Sequence, residues 1–310
     1  IKDALDTTVN LPRYISGDLN GLKGSSSENT LFAFASGERS SLFVYKYYFD
    51  AGSKALQRSW SKYKFVDTDI LLDGDCIQNY LYMVIKRADG TYLEKLNLKT
   101  NEVDTGLSFP VLLDRKTSLT GTYDSATDKT TFTLPYQETN TMDVVLSGAW
   151  SSTQKGRNIP IASTTNTTVV VNGDYSTHAV LVGRKYTFKY QFPTFFVREQ
   201  KTTGNSTSVN TGRLQLKTMS IIFGDTGFFE VSLTPLARTT SVFKFTGQIL
   251  GSSTLTIGQP NLESGTFKLP IQCKNTDTVI FISSDSYLPC NFLSAEWEGV
   301  FSVLSQRIIT

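Results

Sequence analysis

Lys185-Tyr186-Thr187-Phe188-Lys189-Tyr190-Gln191-Phe192 alternates polar with aromatic or hydroxyl-bearing side chains at every step. Arg213-Leu214-Gln215-Leu216-Lys217 and Val242-Phe243-Lys244-Phe245-Thr246 repeat the pattern. A period of two is what a half-buried strand requires, because successive side chains point to opposite faces of a sheet. β-Branched and aromatic residues fill such runs along the chain, and clusters of Gly, Asn, Asp and Ser interrupt them at intervals of about ten residues, the spacing of a sandwich, barrel or propeller. No stretch reads as an amphipathic helix of three turns. The chain is therefore expected to be all-β.

Working outward, residues 29–65 and 67–100 read as two related three-stranded meanders. The first comprises Thr30–Ser36, Leu42–Phe49 and Gln57–Phe65; the second comprises Ile70–Cys76, Tyr80–Arg87 and Tyr92–Leu98. Turns are expected at Ser36-Gly37-Glu38, Asp50-Ala51-Gly52, Asp73-Gly74-Asp75 and Ala88-Asp89-Gly90. Repeated meanders of about 35 residues are the pattern of propeller blades. Two blades cannot close a ring, and the chain opens on Ile1 rather than Met, so the expectation is a segment of a longer polypeptide with further blades upstream. Residues 101–190 are richer in Thr and poorer in aromatics. The expected organisation is 1–103 as partial β-propeller blades, 104–190 as a small β-barrel or sandwich, and 191–310 as a C-terminal β-sandwich.

Composition excludes several functions. Lys and Arg number 30 against 28 Asp and Glu, a net charge of +2 spread evenly along the chain, so no segment carries the one-sided positive charge of a duplex-binding surface. A channel past which nucleic acid slides is compatible with that balance. Cys76, Cys273 and Cys290 form no CxxC pair, which points to free thiols in a reducing compartment rather than to disulfides or zinc. No apolar run approaches the roughly 20 residues needed to span a bilayer, and no signal peptide opens the chain, so a soluble protein is expected.

Catalytic patterns are sparse. The single histidine, His178, has no nucleophile elbow near it. Asp67, Asp69, Asp73 and Asp75 form the densest acidic cluster, but Leu71 and Leu72 occupy positions where a calcium loop needs an oxygen ligand and a glycine, so a solvated strand edge is expected. Gly17 to Gly24 lacks the spacing and ending of a phosphate loop. Glu296 and Glu298, bracketing Trp297, are the one carboxylate pair worth testing as a glycosidase dyad; any β protein offers several such pairs. Trp60 and Trp150 could stack on sugars, although Trp60 lies in an alternating strand and is expected to pack a blade. The polar stretch 200–210, with Lys201, Asn205, Ser208 and Asn210, is the candidate contact loop.

Five stretches carry a family resemblance: Leu11-Pro12-Arg13-Tyr14-Ile15, Gln57-Arg58-Ser59-Trp60-Ser61, Gly212-Arg213-Leu214-Gln215-Leu216, Leu250-Gly251-Ser252-Ser253-Thr254-Leu255 and Trp297-Glu298-Gly299. In order and approximate spacing they resemble the C-terminal part of the nozzle proteins, or tail tubular proteins B, of short-tailed, podovirus-type bacteriophages. No single motif is specific; the order over the whole chain is. The resemblance implies a structural virion protein without catalytic residues or cofactors, whose family-motif residues here are Trp60, Gly212, Arg213, Leu214, Trp297 and Gly299. It further implies a homo-oligomer, a hexameric ring at the distal end of the tail, assembled in the host cytoplasm. That ring would dock on the gatekeeper tail tubular protein, help anchor tail fibres, contact phage DNA transiently during ejection and meet the host cell surface. The family fold joins a β-propeller to further β domains. Glycan binding through exposed aromatics and the 200–210 loop, or glycan hydrolysis by Glu296 and Glu298, is the alternative expectation.

Overall fold

The computed structural model describes residues 11, 13–49, 55–99, 102–200, 206–209, 212–248 and 258–303. The chain divides into two compact units, Ile1–Glu102 and Val103–Thr310. The fold is all-β: the described residues form seven antiparallel sheets and a single 3-10 turn, and none of the sheets closes into a barrel.

In the first unit β1 (Leu19–Ser25), β2 (Thr30–Ala35), β3 (Ser41–Phe49) and β4 (Ala55–Lys64) form one meander, and β5 (Ile70–Ile77), β6 (Tyr80–Arg87) and β7 (Gly90–Asn97) form a second. The two sheets share a core of Phe32, Phe34, Leu42 and Val44 from one and Leu71, Leu81, Met83 and Ile85 from the other. Alternation puts Leu81, Met83 and Ile85 on one face of β6, as the sequence requires. Asp73-Gly74-Asp75 is not the expected turn. These residues lie inside β5 at a register irregularity between Leu71 and Asp73, with Gly74 buried beneath the Phe34 ring, and the chain reverses at Gln78-Asn79 instead. Gln78 there adopts a left-handed φ of 55°.

In the second unit β8 (Asp114–Leu119), β9 (Thr122–Asp124), β10 (Lys129–Thr133), β11 (Met142–Leu146), β12 (Asn158–Ile159), β13 (Ile161–Thr164), β14 (Thr168–Asn172) and β15 (Val180–Arg184) build two four-stranded sheets, ordered β13-β14-β10-β9 and β12-β11-β15-β8. Phe132, Val169 and Val171 of one pack on Met142, Val144, Leu146, Val180 and Val182 of the other, which makes a sandwich. A second sandwich follows, from β16 (Phe188–Gln191), β17 (Arg198–Gln200), β18 (Ser206–Ser208), β19 (Gly212–Thr226), β20 (Phe228–Pro235), β21 (Ser241–Thr246), β22 (Glu263–Lys274), the 3-10 turn Asn275–Asp277, β23 (Thr278–Ser284) and β24 (Asn291–Val303). Its sheets run β16-β23-β20-β21 and β22-β19-β24, with β17 and β18 forming a separate hairpin. Leu107, Phe109, Val111 and Val145, with Leu262, Tyr287 and Leu288, join the two sandwiches. The Tyr287 hydroxyl donates to the Gly156 carbonyl at 3.0 Å, and burial pushes its pKa up to about 12.

A buried ionic cluster fixes the edge of the first sandwich. Glu138 Oε2 accepts from Arg184 Nε at 2.8 Å and lies 3.6 Å from Arg115 Nη1, while Oε1 accepts the backbone N–H groups of Thr139 and Asn140, each at 3.0 Å. Burial acts to raise the Glu138 pKa and is the largest single influence, but the donors on Asn140 and Arg184 together outweigh it and hold the carboxyl below its ordinary 4.5. A carboxyl whose folded pKa is depressed contributes stability that is fully present above the unfolded value and is lost as pH falls through the folded one. Glu138→Gln removes the anion that Arg115 and Arg184 share, leaving Arg184 with Asp114 and Arg115 with the Gln137 carbonyl, and is expected to cost about 3 kcal/mol near neutrality. Denaturant midpoints should show the gap to wild type narrowing as pH drops below 4.5; an equal gap in acid would sink the assignment.

Candidate functional site: a cleft at the base of the 198–208 hairpin

Strands β17 and β18 pair from Arg198 opposite Ser208 to Gln200 opposite Ser206, and the Val209 N–H donates to the Val197 carbonyl at 2.9 Å below them. Of the contact-loop residues, Ser208 is exposed on this hairpin, whereas Lys201, Asn205 and Asn210 lie outside the described residues. Beneath the hairpin opens a cleft of about 660 Å³. Phe196, Val197, Val209, Leu214 and Phe301 give it apolar walls, and Arg213, Lys274, Thr276 and Asp277 supply polar groups. Asn275 anchors the floor: it is buried and donates from Nδ2 to the Phe195 carbonyl at 2.7 Å. Lys274 and Asp277 pair across the 3-10 turn at 3.7 Å. Among the cleft's described lining residues there is one carboxylate, Asp277, and no His or Cys. Its apolar walls and polar groups suit it to seating a side chain or a short segment. Nothing in the sequence marked Phe196, Asn275 or Phe301, because each reaches the cleft from a different strand or turn.

The family-motif residues Gly212, Arg213 and Leu214 line this cleft. Arg213 Nη2 donates to Gln215 Oε1 at 3.4 Å, and Leu214 is buried in the core. Trp297 turns inward from β24, packs on the same core and meets the Phe195 ring at a centroid distance of 5.8 Å. Gly212 and Gly299 owe their identity to close approach. A Cβ on Gly212 would lie 2.3 Å from the Phe301 ring, and one on Gly299 would lie 2.7 Å from the Gln215 carbonyl oxygen. Trp60, in the first unit, packs on Ala33, Ala35 and Phe43 and against the Tyr45 ring at 5.0 Å. The motif at 250–255 lies outside the described residues.

The other candidates are scattered. Glu296 and Glu298 point outward from β24, on the side opposite Trp297. The Thr218 hydroxyl, donating at 2.8 Å, and nearby Lys268 hold the Glu298 carboxyl below its usual range, the reverse of what a general acid needs. His178 is exposed and meets the Trp150 ring edge-on at 5.3 Å. Asp67, Asp73 and Asp75 are exposed, the last two on the edge strand β5, as a solvated edge requires, and Asp69 alone departs from that expectation. Asp69 is buried in an ion pair with Arg87, which also binds Glu94 at 2.8 Å; Asp67 pairs with Lys64 at 3.0 Å; Asp73 and Asp75 accept from the next residue's backbone N–H. No group of His, Cys, Asp and Glu among the described residues could hold a metal ion. Cys76, Cys273 and Cys290 are half-buried free thiols.

Close approach makes a direct prediction. Gly299→Ala should force β24 away from β19 and lower stability by about 1 to 3 kcal/mol, read as a drop in the denaturant midpoint. Arg213→Ala, at the cleft, should shift it by no more than about 0.5 kcal/mol. Equal midpoints for the two variants would refute this account of the motif.

A family model described as the bacteriophage nozzle protein matches residues 1–308. The tail tubular protein gp12 of Escherichia phage T7 is 25% identical over 319 residues, covering 96% of this chain and 38% of that protein, so the chain spans about two fifths of the relative's length. Among solved structures, an exo-β-1,3-galactanase from Phanerochaete chrysosporium aligns over 92% of this chain and 68% of its own at 10% identity, with a TM-score of 0.17. So slight a likeness carries no argument. The match across residues 1–308 is decisive: the chain belongs to the bacteriophage nozzle protein family and is a structural component of the phage tail.

Proposed function

We propose that this chain is part of the distal nozzle of a short phage tail, a subunit of a hexameric ring that surrounds the DNA ejection channel, docks on the gatekeeper tail protein and helps anchor tail fibres. The family match over residues 1–308, together with the kinship to a tail tubular protein, carries the reading. Physical features agree with it. A net charge of +2 suits a conduit, since a strongly basic lining would hold DNA through its phosphates. Residues 1–103 fit partial propeller blades: the outer face of the β5-β6-β7 sheet exposes Ile77 and Leu93 and half-exposes Tyr80, Tyr82 and Val84 beside the charged Asp73, Asp75 and Lys95, a mixed face against which a further blade would pack. Residues 104–190 and 191–310 would form the β domains that follow, with the hairpin and its cleft as the contact surface for a fibre or the host. The glycan-hydrolase alternative draws no support from the outward-facing Glu296 and Glu298.

Labelled antibody against this chain should decorate the distal tip of intact virions, and the purified protein should co-sediment with the gatekeeper tail protein. Virions that stay unlabelled along the tail would end the proposal. Incubation with host surface polysaccharide is expected to release no reducing sugar; release abolished by Glu298→Gln would instead establish the hydrolase.

A further inference from the structure

Strands β22 and β24 are the outer strands of the three-stranded sheet of the C-terminal sandwich, and among the described residues no strand pairs with the outer edge of either. An open edge presents a row of unpaired N–H and C=O groups, which proteins usually blunt with Lys or Pro. The edges differ. β22 carries Lys268, Pro270 and Lys274, whereas β24 runs thirteen residues, Asn291–Val303, with no proline and no cation, and its only charges are Glu296 and Glu298. Leu293 and Val300 are exposed on it at 70% and 46%.

We propose that the β24 edge of one copy pairs with the β22 edge of the next, continuing the sheet from subunit to subunit. The inference rests on the ring assembly proposed above and assigns it a surface. Register supplies the argument for a second copy as the occupant. Lys268 lies opposite Ser220, and Ser220 opposite Glu296, so one row across the sheet begins with a cation and ends with an anion. Copies set side by side bring the Glu296 end of one row against the Lys268 end of the next. A two-fold pairing of β24 with itself would instead oppose glutamates to glutamates, and like charges directly across strands are destabilising. The favoured contact is thus head-to-tail, the kind that closes into rings. β22 and β24 are both antiparallel to β19 and hence run the same way, so the new ladder is parallel. Only alternate residues of β22 face the neighbour, so Pro270 removes at most one donor from the ladder.

Charge reversal tests this. Glu296 and Lys268 are both exposed, and Lys268 pairs within its own chain with the equally exposed Glu298 at 3.6 Å, so Glu296→Lys and Lys268→Glu should each retain a cooperative unfolding transition. By light scattering, each variant alone should self-associate about tenfold more weakly than wild type, because it opposes like charges at every contact. An equimolar mixture should recover wild-type association, since alternating copies restore an opposite pair at each contact. Wild-type assembly that neither variant weakens, or a mixture that fails to recover, would overturn the edge pairing while leaving the nozzle reading intact. A wild-type chain that stays monomeric would overturn it too. Failure of the nozzle reading would show separately, as unlabelled virions.

Discussion

A one-residue change of phase in β19 is the constraint on which the C-terminal sandwich depends. Leu214 and Leu216 are buried at even positions, and Met219, Ile221 and Phe223 at odd ones. In an unbroken strand one of these sets would face water, because the side-chain period is two. Both neighbouring strands shift register between Leu216 and Thr218: Lys217 is an extra residue against β24, which passes directly from Gly299 to Glu298, whereas β22 places two residues, Ile271 and Gln272, opposite it, and with these shifts both sets reach the same core. There they meet Phe229, Val231, Leu233, Ile280 and Ile282 from the facing sheet. The ring contacts of Phe229 with Phe223 at 5.5 Å and Phe245 at 5.0 Å show how tightly the far half of the strand is held.

That shift also shapes the cleft. Gly299 lies opposite Leu216, directly beside the irregularity, where the β24 backbone comes so near the Gln215 carbonyl that no side chain fits. On the other flank Gln272 adopts a φ of 54° next to the same irregularity, and β22 then leads into the 3-10 turn that carries Asn275. The cleft is thus bounded by the strand ends that the bulge redirects.

Period-two alternation marked β21 and the start of β19, each with one face turned inward, whereas β16 alternates in sequence yet is exposed at all four residues and β2 is buried on both faces. β1 escaped notice: Leu19-Asn20-Gly21-Leu22-Lys23-Gly24-Ser25 has two glycines and two exposed leucines, and only pairing with β2 makes it a strand. Asp73-Gly74-Asp75 has the composition of a turn, but burial beneath Phe34 and pairing with β6 override that propensity. Asp69 was equally opaque, since nothing near it in sequence announces Arg87, eighteen residues on, as its buried partner. The family resemblance marked Gly212 and Gly299, but their physical reason, the Phe301 ring and the Gln215 carbonyl, exists only once β19 and β24 are paired.

In the ring assembly proposed above, edge pairing of this kind would answer a problem peculiar to a ring subunit, which must remain soluble before assembly and hold fast afterwards. A parallel ladder with a proline on one side and one exposed charge pair is weak for two free copies, which must also give up translational and rotational freedom. Closure changes the balance: every subunit of a ring makes two such contacts, and removing one subunit breaks both at once. Lys268 and Pro270 would guard the β22 edge against indiscriminate strands, while Glu296 would select a neighbour that offers a cation in the matching row. Specificity would then reside in the row of charges, and strength in the closed circle.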